Sequence, residues 1–372
     1  MTATAFAISV HKSAASIEAE WRHMEAEGAV TAFQRYDFVA PLYAAFAAHG
    51  RAEPVIVLVR TVDGGRPAMI LPLSRHQDGG RIITFADLRV ADYCAPVLAR
   101  GFTPDAATFR ALWRQIETAL PAADIVHLRK LPATVGGRPN PLLSLRPQAA
   151  FPVHAHGVAI AHPWHQHASG AISKKQLGEL RRSESNLGRL GTLGFAFHDG
   201  GAAAVALFED LYAQRTARFA ALGRDDVLAD PMWAAFYRDL VAGTTARPAA
   251  RMMGLTLDGT FIASGLGLVH DGAFLLLIPS FDMQRYARFG LGRLQIYRAM
   301  QAFAEDGLTY FDLTIGDEPY KSAFGVDDRT LFEVLRPLSP RGLRLAAVWH
   351  AKVLLRRFPT LRERLRRWTG RA

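Results

Sequence analysis

Cysteine is almost absent from this chain of 372 residues, in which Cys94 is the single example. One cysteine excludes an intrachain disulfide framework and a zinc site built from several cysteines, and it favours a reducing compartment. The N-terminal segment has no basic stretch ahead of an apolar run, so we expect no signal peptide. No uncharged apolar run reaches the roughly 18 residues of a membrane-spanning helix. The sequence therefore predicts a cytoplasmic protein.

Acidic residues are scarce at one end of the chain. The net charge of +10 would be typical of a nucleic-acid-binding protein, but ten basic residues and only Glu363 lie in 341–372, so the remainder is close to neutral. We therefore expect no specific nucleic-acid binding. The segment GLRLAAVWHAKVLL (342–355) is apolar with basic borders and predicts an amphipathic tail that contacts the inner membrane face peripherally. The alternative is that this helix packs on the second half of the chain.

Turn signals show how the chain is organised. Asp-Gly pairs between apolar runs predict β-hairpins, because glycine accepts the positive φ that such turns require. Each half contains three runs separated in this way, which predicts two antiparallel meanders. The first comprises VIVLVRTV (55–62), PAMILPLS (67–74) and RIITFADL (81–88), and the second comprises RMMGLTL (251–257), FIASGLGLV (261–269) and AFLLLIPSF (273–281).

The segments that flank the two meanders also repeat. Helical stretches precede each meander, and one helix and one strand follow it, at 104–131 in the first half and 292–314 in the second. The sequence thus predicts an α/β (α+β) protein of two tandem units, each a mixed, mostly antiparallel central sheet flanked by helices. The predicted boundaries are a first domain at 1–131, a Pro- and Gly-rich joint at 132–165, a second domain at 166–340 and a basic tail at 341–372.

The two copies differ before the helix that follows the meander. The second copy reads RYARFGLGRLQIY (285–297), in which Gly290 and Gly292 precede a helix N-terminus. Backbone N–H groups converge at such a turn and bind phosphate oxygens. The first copy has no paired glycines at this place, so the second copy is the candidate for binding a phosphorylated ligand.

The sequence resembles the GNAT acyltransferase superfamily, and within it the BioF2-like branch of CelD-type proteins from bacterial polysaccharide gene clusters. That branch is similar to the Fem-type aminoacyltransferases, which carry two GNAT-like units in tandem. The resemblance covers roughly 30–340 and is most specific from YARFGLGRL (286–294) to YFDLTIGDEPYKSAFG (310–325). It implies a degenerate first unit and a catalytic second unit. Ala287 stands where the GNAT pattern has Gln or Arg, and Arg288 follows one place late.

The resemblance also implies where a donor would bind. The backbone at Gly290, Leu291, Gly292 and Arg293 would take the pyrophosphate of acetyl-CoA or another acyl-CoA, with charge added by Arg288 and Arg293. The strand edge at Leu277, Ile278 and Ser280 would meet the thioester carbonyl, and Pro279 would break the ladder where GNAT strands diverge. No metal is expected.

The turn after the last strand supplies the candidate catalytic residues. Tyr320 is the candidate acid for the leaving thiolate, and Lys321 would stabilise negative charge or hold an anionic acceptor. Asp312 or Asp317 would receive the proton of the amine. In the alternative, Asp317 caps the next helix, Tyr320 packs and Lys321 is solvated.

Other side chains are weaker candidates. Arg215 and Arg218 are predicted to bind substrate in the cleft. The basic amphipathic stretch at 173–191 would hold an anionic acceptor or form a solvated face. Five histidines between 154 and 167 lie in the joint, where solvation is expected rather than metal binding.

The predicted function is acyl-CoA-dependent N- or O-acyl transfer, most simply acetyl transfer. The acceptor would be an amine or hydroxyl of a small-molecule or lipid-linked sugar in polysaccharide or cell-envelope synthesis. Two alternatives remain open. One is a Fem-like transferase that uses aminoacyl-tRNA, and the other is a non-catalytic binding subunit of a polysaccharide-synthesis system.

Overall fold

A computed structural model describes residues 5–243 and 249–356 of the chain. In these ranges the helices are α1 (Glu18–Glu27), α2 (Tyr36–Ala48), α3 (Ala106–Ala119), α4 (Trp164–Ala171), α5 (Lys174–Gly188), α6 (Gly201–Ala221), α7 (Pro231–Ala242), α8 (Met283–Tyr286), α9 (Leu291–Glu305) and α10 (Pro340–Arg356). The strands are β1 (Phe6–His11), β2 (Glu53–Thr61), β3 (Pro67–Gln77), β4 (Arg81–Phe85), β5 (Val97–Leu98), β6 (Ile125–Leu131), β7 (Thr134–Val135), β8 (Arg138–Pro139), β9 (Gln148–Ala150), β10 (Ala155–Ala159), β11 (Leu193–His198), β12 (Ala250–Leu257), β13 (Thr260–His270), β14 (Ala273–Phe281), β15 (Tyr310–Ile315), β16 (Asp327–Arg329) and β17 (Phe332–Pro337).

The chain divides into two compact units. The first contains the described residues of Met1–Gln34, Phe46–Phe151 and Leu331–Ala372, and the second contains those of Arg35–Ala45 and Pro152–Thr330. Each unit has one large sheet, with the strand order β1-β2-β3-β4-β6-β17-β9 in the first and β11-β12-β13-β14-β15-β10-β16 in the second.

Both predicted meanders are confirmed. In the first unit, β2, β3 and β4 are successive antiparallel neighbours, and in the second unit β12, β13 and β14 repeat that arrangement. Asp258 and Asp271, at the two turns of the second meander, each have a φ of 48° and are followed by glycines with positive φ. Each meander is followed by a parallel partner, β6 beside β4 and β15 beside β14. The predicted fold class, two mixed and mostly antiparallel sheets flanked by helices, is therefore confirmed.

Helix α9 packs on the second sheet as its sequence pattern predicts. Ile296, Ala299, Met300 and Phe303 recur at helical spacing and are all buried in one apolar cluster with residues of β14 and β15. The ring of Phe303 lies 4.4 Å, centroid to centroid, from the ring of Phe274 on β14. This packing fixes the C-terminal half of α9 against the start of β14.

Two strands, β10 and β17, belong to other sheets than the predicted domain boundaries would suggest. Strand β10 lies within the predicted joint at 132–165, yet it pairs with β15 and β16 in the second sheet. Strand β17 lies within the predicted second domain at 166–340, yet it pairs with β6 and β9 in the first sheet. Because pairing between segments that are distant in the sequence leaves little local signal, neither assignment follows from the sequence pattern.

The predicted tail at 341–372 is described only as far as Arg356. In α10, Ala346 and Trp349 are buried against Ile125 and Leu335 of the first sheet, and Arg356 Nη1 donates to Glu333 Oε1 at 2.6 Å. The alternative in which this helix packs on the second half is therefore corrected, since it packs on the first unit. The remainder of the predicted tail lies outside the described residues.

Candidate active site

The second sheet opens between β14 and β15. These parallel strands pair only over Ala273–Leu275 and Tyr310–Asp312. Strand β14 then continues to Phe281 and β15 to Ile315. The two strand ends therefore form the sides of a wedge-shaped opening.

A bulge lies where this opening begins. On β13, Leu266 stands opposite Ile278 and Gly267 opposite Leu276, so Leu277 is an additional residue of β14. The extra residue of a bulge is left out of the ladder and bends its strand. The bulge thus frees the backbone of Leu277 on the side of the opening.

Thr314 lies on β15, on the opposite side of the opening. Its φ of 57° is in the left-handed region, which a β-branched residue rarely adopts. Two hydrogen bonds hold it there, since its N–H donates to Asp312 Oδ1 at 2.7 Å and its Oγ1 donates to the Leu276 carbonyl at 3.1 Å. Such strain is maintained only where surrounding contacts determine the backbone.

The N-terminus of α9 lies at the far end of β14. Gly290 occupies the N-cap position with a φ of 60°, and no side chain caps the helix. A Cβ added to Gly292 would lie 3.0 Å from the ring of Phe281. The Gly290 amide donates to the Ala287 carbonyl at 3.5 Å and the Arg293 amide to the Gly290 carbonyl at 3.1 Å. The amides of Leu291 and Gly292, which have no intrahelical acceptor, are therefore the ones available to an anionic ligand.

A cavity of about 550 Å³ fills the wedge. Its lining combines the end of β14, the end of β15, the start of α9, the last turns of α6 and the turn that follows β15. It therefore joins the uncapped end of α9 to Tyr320 and Lys321.

Lys321 is buried at this junction, with 3% of its surface exposed. Its Nζ donates to the Ile315 carbonyl at 2.9 Å and to the Thr314 carbonyl at 3.4 Å. It also pairs with Glu318 Oε2 at 3.0 Å. The alternative of a solvated lysine is therefore wrong, and this ammonium group ties the turn to the end of β15.

Tyr320 lies beside Lys321 and also lines the cavity. Burial raises the pKa of its phenol to about 12, with a further contribution from the Glu318 carboxylate and an opposing one from Arg218. The hydroxyl is thus protonated at neutral pH and able to donate a hydrogen bond or a proton.

The two candidate aspartates lie outside the described lining of the cavity. Asp312 is buried and its Oδ2 accepts from Arg329 Nη2 at 2.7 Å. Asp317 accepts from the His154 amide and lies near the His156 ring, each at 3.1 Å. Burial acts to raise the pKa of the Asp317 carboxyl, but these contacts outweigh it and hold the pKa below its usual value. Both carboxylates therefore have structural partners.

The residues expected to hold a donor are only partly brought together. The cavity lining includes Leu277, Gly290, Leu291, Gly292 and Arg293, and also Ala287. Arg288 is exposed and lies over the ring of Phe289 at 4.8 Å. Ile278 and Ser280 are buried and lie outside the described lining. Arg293 Nη1 is directed to Gln176 and Glu179 of α5, at 3.0 and 3.2 Å.

Arg215 and Arg218 both reach the cavity from the last turns of α6. Arg215 Nε donates to both carboxylate oxygens of Asp226, at 2.8 and 2.9 Å, and its Nη1 donates to the Pro279 carbonyl at 3.2 Å. Arg218 lies over the rings of Phe281 and Phe219, at 4.6 and 5.2 Å from their centroids.

Glu318, Phe219 and Phe281 are among the lining residues that the sequence did not identify. Glu318 stands three residues before Lys321, and that spacing was the available signal. Phe219 and Phe281 carried no signal, because their role depends on the approach of α6 to β14. Among the described residues, no cluster of three or more His, Cys, Asp or Glu side chains has the arrangement of a metal site.

The comparison with protein families matches this region. Residues 174–322 match a family model described as an acetyltransferase (GNAT) domain. The matched range includes every described residue of the cavity lining. This part of the chain is a GNAT domain, and the protein is accordingly an acyltransferase.

Solved structures show the same two-unit fold. FemX is 11% identical, with 89% of this chain and 97% of that chain covered and a TM-score of 0.54. The C-terminal DUF2156 domain of a putative lysylphosphatidylglycerol synthetase from Agrobacterium fabrum is 14% identical, with coverages of 90% and 95% and a TM-score of 0.52. A conserved protein of unknown function from Bacteroides thetaiotaomicron is 9% identical, with coverages of 90% and 100% and a TM-score of 0.53. A comparison with curated proteins finds no match.

Proposed function

We propose that the second unit transfers an acyl group from an acyl-CoA, most simply acetyl-CoA, to an amine or hydroxyl of a polysaccharide or cell-envelope precursor. The acceptor would be a small-molecule or lipid-linked sugar. The observation that carries this proposal is the continuous cavity from the uncapped N-terminus of α9 to Tyr320, with one wall formed by the bulged strand β14.

The donor would lie along this cavity. Its pyrophosphate would accept hydrogen bonds from the backbone between Gly290 and Arg293, where the helix dipole also favours negative charge. The pantetheine arm would contact Leu276, Leu313 and Ile296, which give the cavity its apolar walls. The backbone N–H of Leu277 would polarise the thioester carbonyl at the bulge.

The transfer requires one proton to move from the acceptor to sulfur. A neutral amine attacks the thioester carbon, a C–N bond forms, the C–S bond breaks, and the sulfur leaves as a thiolate. We assign Tyr320 as the acid that protonates this thiolate, because burial keeps its hydroxyl protonated. The proton lost by the amine would go to Glu318, whose carboxylate lines the cavity, rather than to Asp312 or Asp317. Glu318 would return this proton through solvent to the Tyr320 phenolate, so that both groups regain their starting state. Lys321 would hold Glu318 and the carbonyls of the turn in place.

Two alternative functions are compatible with the same fold. A Fem-like transferase would accept an aminoacyl group from tRNA, and the exposed position of Arg288, outside the cavity lining, favours this alternative over a tightly held CoA. A non-catalytic subunit would bind an envelope precursor without reaction. The continuous cavity from α9 to Tyr320 favours a donor with a pyrophosphate and a narrow arm.

Ligand-dependent melting tests the donor. A ligand at a hundredfold over its Kd stabilises the folded state by about 2.7 kcal/mol, which gives a measurable rise in Tm. Saturating acetyl-CoA and longer acyl-CoAs should raise the Tm of the full-length protein. If no acyl-CoA raises the Tm while charged tRNA binds in a filter assay, the Fem-like alternative replaces this proposal.

We also propose peripheral contact of the C-terminal helix with a membrane surface. Leu343, Val348 and Leu354 of α10 are exposed apolar side chains. None of the described helices is long and apolar enough to cross a bilayer. Full-length protein should sediment with anionic vesicles at low salt and be released at high salt. Protein that stays in the supernatant at low salt contradicts this contact.

A further inference from the structure

Two arginines on one face of α6 have different surroundings. Arg215 is satisfied by Asp226 and by the Pro279 carbonyl. Arg218, one turn later, forms no hydrogen bond or ion pair with any residue in 5–243 or 249–356, and its Nε is fully buried without a partner. The two side chains share a cavity, but only Arg215 has its charge compensated.

The position of Arg218 is nevertheless well determined. Its guanidinium lies between the rings of Phe281 and Phe219. Stacking on aromatic faces compensates part of the desolvation of a guanidinium but leaves its N–H donors unsatisfied. Burial, together with the charge of Arg215, lowers the pKa of Arg218 from its usual value. An unsatisfied charged donor in a cavity is costly unless a ligand completes it.

The described carboxylates nearby already have partners. Glu318 in the cavity lining pairs with Lys321 at 3.0 Å, and Asp226 is held by Arg215 at 2.8 Å. The buried Nε of Arg218 therefore has no acceptor among the described residues. A carboxylate or phosphate of a ligand would supply one, since a guanidinium binds these groups in a bidentate manner.

The location of Arg218 indicates which part of a ligand carries that anion. The donor pyrophosphate already has the amides at the start of α9, whereas Arg218 projects from α6. Arg218 and Tyr320 line the same cavity, and the positive charge of Arg218 acts to lower the pKa of the Tyr320 phenol. In the proposed function Tyr320 stands at the reacting carbonyl, so Arg218 is near the reacting end of the cavity.

We propose that Arg218 binds a carboxylate or phosphate carried by the reacting part of a substrate, either on the acyl chain or on the acceptor. This inference rests on the proposed function and narrows its substrate class to anionic acyl groups or anionic acceptors. Arg218 would act as a specificity-determining residue, because a neutral analogue would leave its buried Nε–H without an acceptor.

The test uses pairs of substrates that differ in charge. On the acyl side, succinyl-CoA is compared with pentanoyl-CoA, by calorimetry and by release of free thiol. On the acceptor side, glucosamine 6-phosphate is compared with glucosamine, and glutamate with glutamine, with acetyl-CoA as donor. The wild-type protein should prefer the anionic member of at least one pair by at least about tenfold in affinity or in kcat/KM.

Variants connect the preference to one side chain. Arg218→Met keeps an unbranched stem between the two phenyl rings and should abolish the preference, while binding of free CoA changes by less than about threefold. Arg218→Lys should retain part of it, because the charge remains but the bidentate geometry is lost. Arg129→Met is the matched control, since that arginine also lies over a phenyl ring, that of Phe151, but is exposed and belongs to the first unit, and it should leave the preference unchanged.

Each other outcome overturns a definite statement. Equal use of charged and neutral partners in every pair by the wild-type protein overturns the assignment of Arg218 and leaves the proposed function standing. An equal loss of affinity for free CoA and for every acyl-CoA in Arg218→Met would make Arg218 a ligand of the donor phosphates, which also overturns it. Absence of binding by any acyl-CoA to the wild-type protein overturns the proposed function and this inference together.

Discussion

The two units share a sheet order but differ at the helix that follows the meander. In the first unit, α3 begins at an N-cap, Asp105, whose carboxylate accepts from the amides of Ala107 and Thr108 at 2.8 and 2.9 Å. In the second unit, α9 begins at Gly290 and no side chain accepts from its first amides. The carboxylate of an aspartate at this position accepts hydrogen bonds from the first helix amides. A glycine has no side chain to do so and leaves such amides to a ligand.

The third strands of the two meanders differ as well. Strand β4 ends at Phe85, soon after it pairs with β6 at Ile82 and Ile83. Strand β14 continues to Phe281, well beyond its last residue paired with β15. The loop after β4 is packed into its own unit, with Ala91 and Cys94 buried. A wedge forms where the last strand of the meander continues well beyond the residues that it pairs with its parallel neighbour. Among the described residues, β14 does so by six residues and β4 by only two.

The largest expected effect concerns the α9 turn. Gly290→Asp places a negative charge at the uncapped amides, where it repels the donor pyrophosphate. It should weaken acetyl-CoA binding at least a hundredfold, about 2.8 kcal/mol, and remove the rise in Tm. Gly290→Asn separates charge from capping, because asparagine also tolerates positive φ and can accept from the same amides but adds no charge, so it should remove only part of the rise. Unchanged binding in Gly290→Asp would contradict the assignment of this turn.

Tyr320→Phe should have the next largest effect. The change keeps the ring and removes the proton donor, so kcat should fall about a hundredfold with little change in Kd for CoA. Because the pKa of Tyr320 is raised to about 12, its deprotonation should cause no alkaline decline of wild-type activity between about pH 7 and pH 10. Full activity of the phenylalanine variant would show that another group protonates the thiolate.

Lys321→Met should lower turnover by at least tenfold, about 1.4 kcal/mol, with Kd for CoA nearly unchanged. The methionine fills the buried space but frees Glu318 and the Ile315 carbonyl from their partner. Ser322→Ala, at an exposed neighbouring position, serves as the control and should retain full turnover. A Lys321→Met protein with normal turnover would reduce this lysine to a packing residue.

Asp105→Ala tests the opposite side of the comparison. Loss of the N-cap should destabilise the first unit by about 1 kcal/mol and lower the Tm of the free protein. The rise in Tm on addition of acetyl-CoA should be preserved, since the donor binds the second unit. Asp105→Ser retains a capping oxygen and should recover most of the stability. A lost ligand response in Asp105→Ala would show that the units are not functionally separate.

The smallest expected effect is the pH dependence contributed by Asp317. Its folded-state pKa is lowered, so its contribution to stability is present above the ordinary carboxyl value of 3.8 and is lost as pH falls through the folded-state pKa. Asp317→Asn should therefore be slightly less stable than wild type in urea unfolding at neutral pH and equal to it at the acid end. The carboxylate is half-exposed, so screening keeps the difference small. A difference that grows towards acid pH would contradict this sign.

Much of the second unit could be predicted from sequence because its signals are local. The Asp-Gly turns predicted the hairpins, and the 3.6-residue spacing of Ile296, Ala299 and Phe303 predicted the buried face of α9. Gly290 and Gly292 marked the uncapped helix, and the turn with Tyr320 and Lys321 was identified as part of the site. Each of these features depends on a few consecutive residues.

What depends on distant residues was decided only by the tertiary structure. The sequence could not show that Asp312 pairs with Arg329 or that Arg215 pairs with Asp226. Nor could it show that Lys321 is buried. It also could not assign β10 to the second sheet or β17 to the first. A charge becomes a structural partner or a free binding group according to what the fold places within about 3 Å of it, the reach of a hydrogen bond. That distance is set by the packing of whole elements, which is why the sequence could name Arg215 and Arg218 together as cleft residues but could not show that, among the described residues, Asp226 pairs with Arg215 and leaves Arg218 without an acidic partner.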